Sequence, residues 1–206
     1  MKMLIEHKQN VICIDNFFTG NKKNILELSR EYKIKHLLFA STSSVYGNNK
    51  KFPINEDFNT DKPLSFYAAT KKTNEVMAYS YSNIYKIPVT GMRFFTVYGP
   101  YGRPDMFLFK YVSSILSNKK IKVYNYGKHS RDFTFVSDVI NSIDRLILKP
   151  SKAIIPYQIF NIGRGKSEKL FSFMNLVEKF LNKKGKVSLI KMQKGDVEKT
   201  HADVTK

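Results

Sequence analysis

The 206-residue sequence has a single cysteine, Cys13, and no hydrophobic run close to the roughly 18 residues that a membrane-spanning helix needs. One cysteine excludes an internal disulfide and a cysteine-based zinc site. Charges interrupt the apolar stretch of the N-terminal segment Met1–Asp15, which is not typical of a secretory signal peptide. We therefore expect a cytoplasmic protein with no membrane partner and no metal site.

Acidic residues are scarce, with 17 Asp and Glu against 35 Lys and Arg, for a formal net charge of +18. Such a charge attracts anionic ligands at low ionic strength. The cations are 29 lysines and only 6 arginines, and the lysines are spread along the chain. Because base readout and bidentate phosphate recognition favour arginine, we interpret the charge as a lysine-rich surface and expect no nucleic-acid partner.

Hydrophobic residues make up 42% and charged residues 25% of the chain, which is typical of a globular protein of one large or two small domains. Strand-like and helix-like patterns alternate, and this predicts an α/β fold with a mainly parallel sheet. Strands are predicted at Asn10–Asp15, His36–Ser41, Pro88–Val97, Ile121–Tyr124, Phe133–Val136, Tyr157–Ile162 and Val187–Ile190. Helices are predicted at Asn24–Ile34, Phe66–Tyr85, Pro104–Ser117, Ser137–Leu148 and Ser167–Leu181.

Two residues of the long predicted helix, Tyr67 and Lys71, are four positions apart and therefore share one face. A lysine ammonium beside a phenol stabilises the phenolate, so Tyr67 could act as a general base or acid. The same spacing also occurs by chance on exposed helix faces. The preceding segment strengthens the hypothesis, because the apolar strand His36–Ser41 runs directly into hydroxyl residues, and ligands bind at the carboxyl ends of parallel strands. A polar turn is the alternative interpretation of that hydroxyl cluster.

Six segments, in order, resemble the extended short-chain dehydrogenase/reductase family, also called the NAD-dependent epimerase/dehydratase family. They are ASTSSVYG (40–47), SFYAATKKTNEVMAYSYSNIY (65–85), GMRFFTVYGPYGRPDMFLFKY (91–111), VYNYGKHSRDFTFVSDV (123–139), FNIG (160–163) and KGDVEKTHAD (194–203). Within the family they are most similar to the UDP-glucuronate 4-epimerases, because galactose epimerases usually carry Asn at the position of Thr96.

The resemblance implies an NAD-dependent isomerase that oxidises C4 of a UDP-sugar to a ketone and reduces it again from the other face. It also implies an incomplete Rossmann-like parallel sheet with a smaller substrate-binding α/β region. Residues 1–100 would form the NAD-binding region, and residues 101–206 would mainly bind the UDP-sugar. Intact relatives usually serve polysaccharide synthesis.

The family's catalytic residues match Thr42, Tyr67 and Lys71. By resemblance, Thr42 would hydrogen-bond the sugar oxygen, Tyr67 would take the hydroxyl proton, and Lys71 would hold the nicotinamide ribose. Phe94 matches the wall beside the nicotinamide. Asp15, followed by Asn16, ends a predicted strand and would bind the adenosine ribose, although a turn-capping Asp remains an alternative.

The resemblance implies substrate contacts by Arg93, Thr96, Arg103, Arg131 and Asp132. Arg131 would clamp the diphosphate, a role that suits the fork of donors in a guanidinium group. Arg103 and Asp132 are weaker assignments in the substrate pocket. Two alternatives stay open at this point: Arg93 could belong to a structural ion pair, and Asp132 could be a turn residue.

The sequence also departs from the family pattern. None of its ten glycines shows the G-x-x-G-x-x-G spacing of the phosphate-binding turn, and only 27 positions separate Asp15 from Thr42. We expect the first strand, two further central strands and part of the C-terminus to be missing. Three interpretations follow: an active epimerase, an inactive remnant that retains UDP-sugar binding, and a module that forms a homodimer through helix 66–85. A separate chain could supply the missing strands.

Overall fold

The computed structural model describes residues 22–206, so the predicted strand Asn10–Asp15 lies outside the described residues. The helices are α1 (Lys22–Glu31), α2 (Phe66–Tyr85), α3 (Phe107–Leu116), α4 (Val136–Ile147) and α5 (Leu170–Leu181). The strands are β1 (Leu37–Thr42), β2 (Val89–Phe94), β3 (Thr96–Tyr98), β4 (Lys120–Val123), β5 (Ser130–Phe135), β6 (Tyr157–Ile162), β7 (Ser167–Lys169) and β8 (Lys186–Leu189).

A parallel sheet in the order β1-β2-β6 lies between two layers of helices. Successive strand residues point to opposite faces, so Phe39 packs with residues of α1 and α2, whereas Leu38 packs with Val139 and Ile143 of α4. Helices on both faces of a parallel sheet are the Rossmann-like arrangement, which confirms the predicted α/β class.

The predicted strand Pro88–Val97 is wrong as a single strand, because the chain changes sheets at Phe95. The Phe95 backbone N–H still donates to the Ile162 carbonyl at 3.0 Å, whereas Thr96 already pairs with Phe133 of β5. The side chain of Phe95 is buried in a separate apolar cluster. This crossing starts a second sheet in the order β3-β5-β7, in which β5 and β7 are antiparallel.

The helix predicted at Ser167–Leu181 is also wrong in its first three residues, which form β7 because they pair with β5. The helix predicted at Pro104–Ser117 begins later, at Phe107. By contrast, Phe66–Tyr85 and Tyr157–Ile162 have the predicted bounds.

A third, two-stranded sheet pairs β4 with β8 in parallel and packs against α3 and α5. The two helices are joined by a hydrogen bond from the Tyr111 hydroxyl to Glu178 Oε1 at 2.6 Å. The boundary predicted near residue 100 stays a prediction, although β6, from the second half of the chain, completes the first sheet.

In residues 22–206, no helix is long and apolar enough to cross a membrane. The same part of the chain shows no group of three or more His, Cys, Asp or Glu side chains that could hold a metal ion. The cytoplasmic location stays a prediction.

Candidate functional site

The carboxyl end of β1 and the first turn of α2 form one wall of a cavity of about 770 Å³. β1 ends at Thr42, whose Oγ1 accepts a hydrogen bond from the Ser44 backbone N–H at 3.2 Å. α2 is capped by Ser65, whose Oγ accepts from the Ala68 N–H. This cap places Tyr67, which is 51% exposed, in the first turn of the helix, where it lines the same cavity as Thr42.

Lys71 lies one turn further along α2 and is buried. Its Nζ donates a hydrogen bond to the Ala40 carbonyl at 3.1 Å, two residues before Thr42. The structure therefore brings the three predicted catalytic residues to one strand end, with Thr42 and Tyr67 facing the cavity and Lys71 held beside them.

The opposite wall comes from the crossing between sheets and from α3. It includes the predicted residues Phe94, Thr96 and Arg103, together with aromatic side chains such as Tyr98 and Phe107. The volume lies within the roughly 300–1,000 Å³ typical of ligand pockets. Among the described residues that line the cavity, Arg103 carries the single charged side chain, so an anionic ligand would meet a cation there.

Arg93 does not line the cavity, and the structure places it in the structural ion pair considered above. Its Nε and Nη2 donate to the two carboxylate oxygens of Glu75 at 2.9 and 2.8 Å, and its Nη1 donates to the Tyr46 hydroxyl at 2.9 Å. Although burial alone would lower the pKa of Arg93, the hydrogen bonds and charge of Glu75 raise it above its ordinary value. Burial raises the pKa of Tyr46 to about 12, so its hydroxyl stays protonated and donates to Asn161.

Asp132 is also turned away from the cavity and is fully buried. Its carboxylate accepts hydrogen bonds from three backbone N–H groups, those of Arg164, Gly165 and Ala202, at 2.8 to 3.1 Å. These contacts tie two loops to β5, so Asp132 has the bonding pattern of a structural anchor.

Arg131 is mostly buried and bonded within the protein. Its Nη2 donates to Asp196 Oδ1 at 2.9 Å, and its Nη1 donates to the backbone carbonyls of Ser130 and Glu198. Burial lowers the pKa of Arg131, and the charge of Asp196 opposes that change. Arg131 does not line the cavity, although Phe133, two residues along β5, does.

Sequence reasoning missed Glu75 and its contact with Ser41, a member of the predicted hydroxyl cluster, and this contact connects β1 to α2. The Ser41 hydroxyl donates to Glu75 Oε1 at 2.6 Å, and both side chains are buried. The sequence did contain a signal for Glu75, because Tyr67, Lys71 and Glu75 are successive members of an i, i+4 series on one helix face.

The described residues fit the nicotinamide end of an NAD molecule, since Tyr67 and Phe94 line one cavity and Lys71 lies beside it. Asp15 and Asn16, which were predicted to hold the adenosine end, lie outside the described residues.

Comparison with known proteins places these residues in a family. An uncharacterised protein from Methanocaldococcus jannaschii is 51% identical over 183 residues, covering 89% of this chain and 55% of that protein. A UDP-glucuronate 4-epimerase from Thermodesulfobacterium geofontis is 38% identical over 196 residues, covering 95% of this chain and 58% of that protein. This chain therefore spans somewhat more than half the length of these relatives.

The structure is similar to that of the UDP-glucuronic acid 4-epimerase from Bacillus cereus, solved in complex with UDP-glucuronic acid and NAD. The TM-score is 0.83 at 30% sequence identity, with 89% of this chain and 57% of that chain covered. The family model described as "NAD dependent epimerase/dehydratase family" matches residues 6–163. The chain belongs to the NAD-dependent epimerase/dehydratase family, as its sequence motifs predicted.

Proposed function

We propose that this chain forms the part of the active site that holds the catalytic residues of an NAD-dependent UDP-sugar 4-epimerase of the UDP-glucuronate type. The observation that supports the proposal is the meeting of Thr42 and Tyr67 in one cavity, with Lys71 fixed at the same strand end. The whole reaction is a proposal because the chain spans little more than half of its relatives.

The polar residues that line the cavity suit a sugar nucleotide that carries negative charge. The hydroxyl residues Ser43, Ser44 and Thr96 line it together with Arg103. Hydroxyls both donate and accept hydrogen bonds, as sugar recognition requires, and arginine suits a carboxylate or a phosphate. The solved neighbour is a complex with UDP-glucuronic acid, which offers both anionic groups.

Each of the catalytic residues has a separate role in the proposed reaction. Tyr67 accepts the proton of the sugar hydroxyl, Thr42 hydrogen-bonds the same oxygen, and Lys71 holds the nicotinamide ribose. Bound NAD would supply the hydride acceptor and donor for C4 of the sugar, and Tyr67, Lys71 and Phe94 would hold its nicotinamide end. The aromatic side chains of Phe94, Tyr98 and Phe107 make that wall of the cavity largely apolar.

The test uses the purified chain with UDP-glucuronate and NAD, and detects UDP-galacturonate by chromatography. We expect Tyr67→Phe to lower the rate by about 10²–10⁴-fold, the usual contribution of a general acid–base group. Tyr85→Phe is the matched control, because Tyr85 is an exposed tyrosine at the other end of the same helix, outside the cavity. Equal rates for wild type and Tyr67→Phe would overturn the assignment.

A second candidate is UDP-sugar binding without turnover. The cavity supports it, because Ser43, Ser44, Thr96 and Arg103 could bind a sugar nucleotide whether or not NAD is bound. Calorimetry separates the two functions: NAD binding supports the epimerase, whereas UDP-glucuronate binding without NAD binding supports the second candidate.

A homodimer through α2 also stays a proposal. Its support is a row of exposed apolar side chains on that helix, which includes Val76, Tyr79 and Ile84.

A further inference from the structure

Two turns of the same sequence and shape lie side by side at one end of the β4–β8 sheet. Asn118-Lys119-Lys120 follows α3 and enters β4, and Asn182-Lys183-Lys184 follows α5 and leads to β8. Both asparagines are left-handed, with φ of 54° and 48°, so both helices end in the same way. β4 and β8 are parallel, and Lys120 pairs directly with Lys186. We call residues 117–122 and 182–186 the paired lysine turns.

The paired lysine turns hold six exposed lysines, Lys119, Lys120, Lys122, Lys183, Lys184 and Lys186. The segments 106–131 and 179–195 that contain the turns have no acidic residue. Glu178 lies next to them, but it accepts hydrogen bonds from Lys184, Tyr111 and the Gly185 N–H.

A contribution to the stability of the fold does not explain why so many lysines lie in the paired lysine turns. Cations in the last turn of a helix interact favourably with the helix dipole, but the effect falls off within that turn. It therefore does not reach Lys122 or Lys186, which lie within the strands. Like charges opposite each other on neighbouring strands, as at Lys120 and Lys186, destabilise a sheet.

Exposed apolar side chains flank the same lysines. Leu116, the last residue of α3, is 65% exposed, and Phe180, near the end of α5, is 85% exposed. Leu116 also borders a shallow apolar groove with Phe109 and Val112, two residues that line the cavity as well. Lysines next to exposed Leu and Phe are typical of surfaces that lie in a lipid headgroup layer.

We propose that the paired lysine turns dock on an anionic phospholipid surface, with the ammonium groups over lipid phosphates and Leu116 and Phe180 at headgroup level. The turns contain no arginine, which disfavours nucleic-acid readout. The sequence led us to expect no membrane partner because it lacks a spanning segment, but peripheral docking needs none. The cavity lining extends along α3 as far as Val112, and none of the residues that line the cavity belongs to the paired lysine turns, so the lysines lie outside the cavity.

The test measures sedimentation of the purified chain with phosphatidylcholine vesicles that contain about 30% phosphatidylglycerol, at about 0.05 and 0.3 M NaCl. The turn variant carries Lys119→Gln, Lys120→Gln, Lys183→Gln and Lys186→Gln. The control variant, of identical net charge, carries Lys50→Gln, Lys51→Gln, Lys62→Gln and Lys152→Gln at exposed positions elsewhere. A third variant, Phe180→Ser, keeps every charge.

We expect the turn variant to lose at least about tenfold in vesicle affinity, and the control variant to lose much less. Phe180→Ser should weaken vesicle binding while leaving the binding of a soluble polyanion such as heparin unchanged. Equal losses of vesicle affinity in the turn and control variants would mean that net charge alone causes the binding, and would overturn the proposal. Binding to RNA but not to vesicles, or no binding to anionic vesicles at low salt, would also overturn it. The test needs no enzymatic activity, so it stands apart from the proposed function.

Discussion

Two groups of charged side chains lie near the cavity, and they differ in where their hydrogen bonds go. Beneath the wall, Arg93 and Glu75 form a bidentate pair that also binds Ser41 and Tyr46, and the paired side chains are only 6% and 4% exposed. At the rim, Arg103 pairs with Asp105 at 2.8 Å, and both side chains face solvent.

The difference shows which charges a ligand could use. A buried charge must keep its partners, because leaving it unpaired costs several kcal/mol. An exposed pair contributes about 0–1 kcal/mol, so an incoming anion can replace the carboxylate at little cost. The buried pair therefore holds the wall in place, whereas Arg103 at the rim is available for binding.

The largest effect on stability is expected from breaking the buried pair. Glu75→Ala leaves Arg93 buried without its carboxylate, so the free energy of unfolding should fall by about 3–5 kcal/mol. Urea denaturation measures the change, with Asp105→Ala at the exposed pair as the control, for which we expect at most about 1 kcal/mol. If Glu75→Ala does not fold, Ser41→Ala removes one hydrogen bond from the same carboxylate and should still cost more than Asp105→Ala. Equal stability of all the variants would contradict the comparison.

At the rim we expect the opposite result, a substitution that weakens ligand binding and leaves the free energy of unfolding almost unchanged. Arg103→Gln should weaken UDP-glucuronate binding by about tenfold, which corresponds to about 1.4 kcal/mol. Its free energy of unfolding should stay within about 0.5 kcal/mol of wild type, as for most surface substitutions. Calorimetry with UDP-glucuronate and with UDP-glucose identifies the group that Arg103 contacts. A loss confined to UDP-glucuronate indicates the sugar carboxylate, an equal loss indicates the diphosphate, and no loss would remove Arg103 from the site.

Features that depend on local spacing could be predicted from the sequence, whereas features that depend on distant contacts could not. The helix Phe66–Tyr85 and the shared face of Tyr67 and Lys71 depend on local spacing, and the structure has both. The change of sheets at Phe95 depends on partners far along the chain, Ile162 and Phe133, and no turn residue marks it within RFFTVY.

Which arginine is buried also depends on contacts with residues far away in the sequence. Arg93 and Arg103 are ten residues apart and both belong to the motif that carries the family resemblance. Only the position of Glu75, on a helix that packs against β2, makes one of them a scaffold residue. The motif therefore identified the region of the site, but not which of its cations face the cavity.

The last expected effect depends on pH and lies at Glu178, which joins α3 to the turn before β8. The Tyr111 hydroxyl, followed by the Gly185 N–H and Lys184, lowers the pKa of Glu178 to about 2 from an ordinary 4.5. Because the folded-state pKa is depressed, this carboxylate stabilises the fold above about pH 4.5, and the contribution disappears as the pH falls towards 2. The stability difference between wild type and Glu178→Gln should therefore shrink over that range in urea denaturation. Asp105→Asn, at the exposed pair, should differ little from wild type at any pH, and a Glu178→Gln difference that does not change with pH would show that its charge contributes nothing.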